Sequence, residues 1–136
     1  MLLIFRLIVD FGLLVLIWMT QLIVYPAVVQ LDEETLQRWH PRYNQMITAI
    51  VAPLMFAQLG LVSWELLQNP SFYAWASMLL VLAAWGLTLL QAVPLHGKIA
   101  KGKGIRSIAE KLVRVNWPRT AVWTVIFLLS LLHRLI

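Results

Sequence analysis

Two stretches, Gln91-Ala92-Val93-Pro94-Leu95-His96-Gly97 and Asn116-Trp117-Pro118-Arg119-Thr120-Ala121-Val122-Trp123-Thr124, face each other across a basic loop. A long apolar run leads into the first and another leads out of the second. A His, an Asn and an Arg therefore sit close to the edge of what reads as a hydrocarbon layer, where such groups are expensive and usually serve a purpose. Reading outward from this point gives an all-α integral membrane protein.

Composition supports that reading. Of 136 residues, 61% are hydrophobic and only 12% charged. A water-soluble domain is nearer half apolar and a quarter charged, and folding this chain in water would expose large apolar surfaces. There is no Cys, which excludes disulfides, thiolate chemistry and Cys-ligated metals. The beginning of the chain is not expected to act as a secretory signal. Asp10 interrupts it, no small-residue cleavage site follows, and the apolar run is too long.

A helix needs about 20 largely apolar residues to cross the core of a bilayer. Four segments qualify, at about 7–29, 43–67, 72–95 and 117–136. They fill the chain as one transmembrane domain, with no soluble domain expected. Residues 32–40 read as a short interfacial helix broken near Pro41. Gln68-Asn69-Pro70-Ser71 reads as a tight turn. Residues 96–107 form a basic cytoplasmic loop, with the third helix ending at His96 under the influence of Pro94 and Gly97. Ser107 and Glu110 fit a capping box that starts the fourth helix, and Pro118 should bend it near the interface.

Nine basic residues (Arg38, Arg42, Lys98, Lys101, Lys103, Arg106, Lys111, Arg114 and Arg119) belong to one end of such a bundle, and Arg6 and Arg134 to the other. Positive charge collects on the cytoplasmic side. Both termini are thus expected outside the cytoplasm, in a bacterial inner membrane, with the basic end against anionic lipid. Nothing in the sequence suggests a nucleic-acid partner. Arg6 and Asp10, four apart, are spaced to pair.

Each span carries one polar stripe: Asp10, Trp18, Gln21 and Tyr25 in the first; Asn44, Thr48, Met55, Gln58 and Glu65 in the second; Ser77, Ala84, Thr88 and Gln91 in the third; Asn116, Thr120, Trp123, Ser130 and Arg134 in the fourth. Lipid-facing helices avoid such stripes, so they should turn inward. That arrangement predicts an up-down-up-down four-helix bundle with a polar seam, richest at the cytoplasmic end.

The seam defines the candidate site. His96, Asn116 and Arg119 are the expected catalytic set, and His40, Gln91, Tyr25 and Asn44 the expected ligand- or cofactor-binding set, around a cavity opening at the cytoplasmic interface. No metal-ligand set is expected: the six acids lie mostly in loops, where a di-iron bundle would need carboxylates and Glu-x-x-His pairs on its helices. Haem stays open, with His40 and His96 on one side as axial ligands. Without a metal, a His could act as base on a flat, acidic, lipid-soluble molecule while Arg119, Asn116 and Gln91 hold the anion. Quinols and anthrones fit that description. The alternative is a non-catalytic accessory subunit of a larger membrane complex or homo-oligomer.

Tyr25-Pro26, His40 with Asn44, Pro53, Pro94-Leu95-His96 and the run Leu112–Thr120 resemble a group of small bacterial four-helix membrane proteins. The last run is also similar to the closing Trp/Asn/Arg-Thr segment of the anthrone-oxygenase-like family. That resemblance implies a site for aromatic polyketide-like molecules that works without a metal or flavin.

Overall fold

In the computed structural model, which describes residues 1–102 and 104–136, four helices account for nearly the whole chain. They are α1 (Leu2–Gln30), α2 (Glu33–Gln68), α3 (Phe72–Ala100) and α4 (Ile105–Leu135), and each is long and apolar enough to cross a membrane. The helices pack in a ring, α1 and α3 each lying against α2 and α4. Arg6 near the start of α1 meets Glu65 near the end of α2. Tyr73 at the start of α3 stacks on His133 at the end of α4. Neighbours therefore run antiparallel, and the bundle is up-down-up-down.

The pattern on α1 shows why the chain folds this way. Arg6, Asp10, Leu13, Ile17, Gln21 and Tyr25 are buried, while Phe5, Ile8, Phe11, Val15, Met19 and Leu22 are exposed. Polar groups turn inward and large apolar side chains turn outward. This inverts the pattern of a helix on a water-soluble protein and is the arrangement hydrocarbon surroundings favour.

Two apolar cores are stacked along the bundle. One holds Leu13, Ile17, Met55, Val62, Val81, Ala84, Trp123 and Ile126. The other holds Tyr25, Val28, Leu36, Leu95, Ile99, Ile105, Ala109 and Leu112. This second core ties together the helix ends that carry the basic residues, where Arg38, Arg42, Lys98, Lys101, Arg106, Lys111 and Arg114 are all exposed. Lys103, expected in the basic loop, lies outside the described residues.

The helices are longer than expected at this end. The interfacial helix of 32–40 is no separate element, because α2 continues unbroken through Pro41 and Pro53. Asp32 caps it, accepting from the Thr35 backbone N–H at 2.8 Å, with Glu33 and Glu34 in the first turn. Pro41 removes one backbone bond, and burial of Leu36 and His40 just before it and of Met55 beyond it holds the helix in line. The third helix does not stop at His96 but runs to Ala100. The connection to α4 is correspondingly short, turning at Gly102 and Gly104, both with positive φ. Gly104 precedes α4 with no side-chain cap, so the Ser107–Glu110 box lies inside the helix and caps nothing.

Candidate functional site

Two prolines shape the site. Pro26 in α1 and Pro94 in α3 each follow a one-turn π segment, Thr20–Val24 and Thr88–Ala92. Proline has no N–H to give, and in regular α-helix its ring would strike the carbonyl four residues back. Widening the preceding turn by one residue relieves that conflict and leaves the helix continuous. The sequence prepares both turns alike. A Thr stands six residues before each Pro, and its hydroxyl donates to the carbonyl four residues earlier: Thr20 to Leu16 and Thr88 to Ala84, both at 2.8 Å. The Tyr25 and Val93 N–H groups then bond five residues back, to Thr20 and Thr88. One inserted residue shifts the following helical face by about 100°, which brings Tyr25 and His96 toward each other.

Tyr25 and His96 form the centre of a three-residue chain. The Tyr25 hydroxyl lies 3.1 Å from His96 Nε2, and His96 Nδ1 lies 2.9 Å from His40 Nε2. Three helices are tied by three side chains. With a neutral pair of imidazoles, one ring nitrogen donates and the other accepts across the His40–His96 contact. His40 is buried, and its Nδ1 has no partner.

Arg119 stands beside Tyr25 and is only 7% exposed. Its Nη1 donates to Asn116 Oδ1 at 3.0 Å, and its guanidinium lies 5.2 Å from the centre of the Trp123 ring, within cation–π range. Asn116 is itself held by donating to Gln21 Oε1 at 2.9 Å. The Thr120 hydroxyl lies 3.2 Å from the same oxygen, and Gln21 Nε2 donates to the Val113 carbonyl at 3.1 Å. A relay of amides thus positions the cation, and among the described residues no carboxylate pairs with it.

Arg119, Tyr25 and His96 line a cavity of about 320 Å³, together with Tyr43, Asn44, Thr48, Trp85, Thr88 and a larger apolar surface. The lining residues of α1 and α4, such as Leu13, Ile17, Thr20, Arg119 and Trp123, are buried and form the floor. Those of α2 and α3 include the exposed Thr48, Phe56, Leu89 and Val93. The mouth therefore opens sideways between α2 and α3, not at the end of the bundle as expected.

The expected residues divide accordingly. His96, Arg119, Tyr25 and Asn44 reach the cavity. Asn116 and His40 do not, and act from behind by holding Arg119 and His96. Gln91 is off the cavity wall, its Oε1 buried without a partner. The π turn explains this, since the added residue turns Thr88, Ala92 and His96 toward the cavity in place of Gln91. Tyr43, Thr20 and Thr88 belong to the site although nothing singled them out as ligand contacts. The repeated Thr-x5-Pro spacing in α1 and α3 was the available signal. As arranged, His40 and His96 cannot be paired axial ligands of a haem, because their nitrogens bond directly to each other and leave no room for iron between. Among the described residues no group of three His, Cys, Asp or Glu side chains is placed to hold a metal ion.

A second buried cluster occupies the opposite end. Arg6 Nε donates to Asp10 at 2.7 Å and Arg6 Nη1 to Glu65 at 3.1 Å. Gln58 Nε2 donates to Asp10 at 2.7 Å. A cavity of about 300 Å³ lies beside it, lined by Arg6, Glu65, Tyr73 and His133.

Comparison with family models, curated proteins and solved structures finds no match to this chain.

Proposed function

We propose that this chain is a multi-pass protein of the bacterial inner membrane that binds a flat, lipid-soluble molecule with an acidic hydroxyl, of the quinol or anthrone kind, and draws off its proton. The observation that carries this is Arg119: a buried cation with no carboxylate partner among the described residues, on the floor of a mainly apolar cavity. An Arg at full membrane depth costs roughly 2.5 kcal/mol or more. An anion formed in that cavity would meet it in a low-dielectric setting, where the attraction is strong. Apolar walls suit a flat aromatic body, and a few convergent polar groups fix its orientation. The proton is drawn toward the His96–His40 pair. The sideways mouth admits such a molecule directly from the lipid.

The membrane setting is supported by the outward-facing apolar side chains of all four helices. Both termini lie outside the cytoplasm in this reading, with the exposed basic residues of the second core on anionic lipid. Single cysteines placed at Asn69 and at Lys101 of this Cys-free chain give the test of orientation. A membrane-impermeant thiol reagent on intact cells should label position 69 and spare position 101, and the reverse pattern would invert the protein.

For the ligand, calorimetric titration of the protein in lipid nanodiscs with 2-naphthol, against protein-free nanodiscs, is the direct experiment. Saturable binding with about one site per chain, weakened at least roughly tenfold by Arg119→Leu as expected for loss of a charge-assisted contact, supports the reading. Heat indistinguishable from partitioning into lipid would refute it.

A further inference from the structure

We propose that Tyr25, and not His96, is the residue that meets the ligand hydroxyl, with His96 and His40 behind it as a two-step relay for the proton. This rests on the ligand reading above and specifies its chemistry. Both ring nitrogens of His96 are already engaged, Nε2 by the Tyr25 hydroxyl at 3.1 Å and Nδ1 by His40 at 2.9 Å. A neutral imidazole has one acceptor nitrogen, so an incoming hydroxyl finds no free lone pair on His96 unless it first displaces a neighbour. Tyr25 differs. It lines the cavity, and with its proton on the His96 side and one acceptor position turned to Arg119, its oxygen keeps one lone pair for a ligand. Arg119 stands beside the same oxygen, where the charge of the deprotonated ligand would develop.

The transfer balances along this chain. The ligand O–H bond breaks and its proton joins the Tyr25 oxygen. The Tyr25 proton passes to His96 Nε2, and the His96 Nδ1 proton passes to His40 Nε2. The ligand becomes an anion opposite Arg119, His40 becomes an imidazolium, and Tyr25 and His96 end neutral. Positive charge is thereby moved one residue beyond the cavity wall, to the end of the bundle where the apolar helix ends give way to exposed basic residues. The two π turns fix the geometry, since without them the Tyr25 and His96 faces would not converge.

The competing role is that of a structural tie among α1, α2 and α3, and the experiment separates the two. The probe is again 2-naphthol in nanodiscs, with the naphtholate fraction read by absorption and binding read by calorimetry. Tyr25→Phe should weaken binding by roughly two- to tenfold, as expected for the loss of one neutral hydrogen bond. It should also lower the bound naphtholate fraction roughly tenfold, the equivalent of one pKa unit. Replacing Tyr25 with 3-fluorotyrosine, which keeps the packing but makes the hydroxyl more acidic, should change the rate at which bound naphtholate appears after a pH jump. Undiminished naphtholate in Tyr25→Phe, with loss in His96→Gln, would show that His96 acts directly and overturn the proposal. An unchanged rate with 3-fluorotyrosine would overturn it also. Absence of saturable binding by the unaltered protein would instead remove the ligand reading itself, and the relay with it.

Discussion

Among the described residues two arginines are buried in the interior, and they are treated in opposite ways. Arg6, 2% exposed, is met by Asp10 and Glu65, and Asp10 in turn is held by Gln58. Arg119, 7% exposed, is met by an amide, an aromatic face and a cavity. Trp123 stands between the clusters, its indole N–H 3.4 Å from Gln58 and its ring under Arg119. A buried cation balanced by carboxylates has its charge met, even though Arg6 Nη2 has no partner of its own, and removing one carboxylate strands the others. A buried cation balanced by dipoles alone is held in place yet left short of negative charge. The difference separates the part of the bundle that holds it together from the part with capacity for a ligand.

The largest expected effect breaks the balanced cluster. Asp10→Leu leaves Arg6 with Glu65 alone and Gln58 without its acceptor, and should cost about 3–5 kcal/mol, read as a large fall in melting temperature in detergent. Arg119→Leu should be the reverse case. It strands no carboxylate, so stability should stay within about 1 kcal/mol of the unaltered protein or rise, since replacing a buried charge by an apolar side chain is often neutral or better. A collapse comparable to that of Asp10→Leu would mean that both arginines are structural.

Gln21→Leu sharpens the contrast at an intermediate scale. It removes the acceptor of Asn116 and the donor to the Val113 carbonyl, while Thr120 keeps its bond to the Asn116 carbonyl, leaving buried polar groups unsatisfied at a cost of about 1–3 kcal/mol. Because Asn116 then no longer fixes Arg119, ligand affinity should fall along with stability. An affinity loss with no change in melting temperature would contradict the amide relay.

The smallest effect is at Asp32, away from both clusters. Its bond from the Thr35 backbone N–H, followed by that from the Thr35 hydroxyl, holds the carboxyl below the usual carboxylate range. A folded-state value below the unfolded one means that the stabilisation is present above the unfolded value and fades as pH falls through the folded one. Protection of the Thr35 amide against exchange, taken relative to the intrinsic rate at each pH, should therefore fall on acidification in the unaltered protein, and be low throughout in Asp32→Ala with ligand binding untouched.

How much of this was legible in the sequence follows from the same contrast. The bundle was readable because inward polar stripes on apolar helices have few other solutions: Asp10, Gln21, Gln58, Asn116 and Thr120 are all buried where helical spacing put them. The Arg6–Asp10 pair was readable for a similar reason, since an i, i+4 contact depends on one helix only. Helix ends at the basic side were not. Pro94 reads as a stop signal, but a π turn absorbs it, and packing of Leu95 and Ile99 against α4 carries α3 onward. The Tyr25–His96–His40 contact depends on the relative register of three helices, which no single-helix pattern encodes. Gln91 illustrates the cost of assuming a regular 3.6-residue period where one residue has been inserted.

The most direct measurement is a crystal structure of the protein with 6-bromo-2-naphthol, locating the bromine by anomalous scattering. The account predicts the aromatic body in the cavity between α2 and α3, with its hydroxyl oxygen within hydrogen-bond reach of both Tyr25 and Arg119. Bromine found only along the outer helix faces, or in the cavity beside Arg6 while that of Arg119 stays free of the ligand, would contradict it.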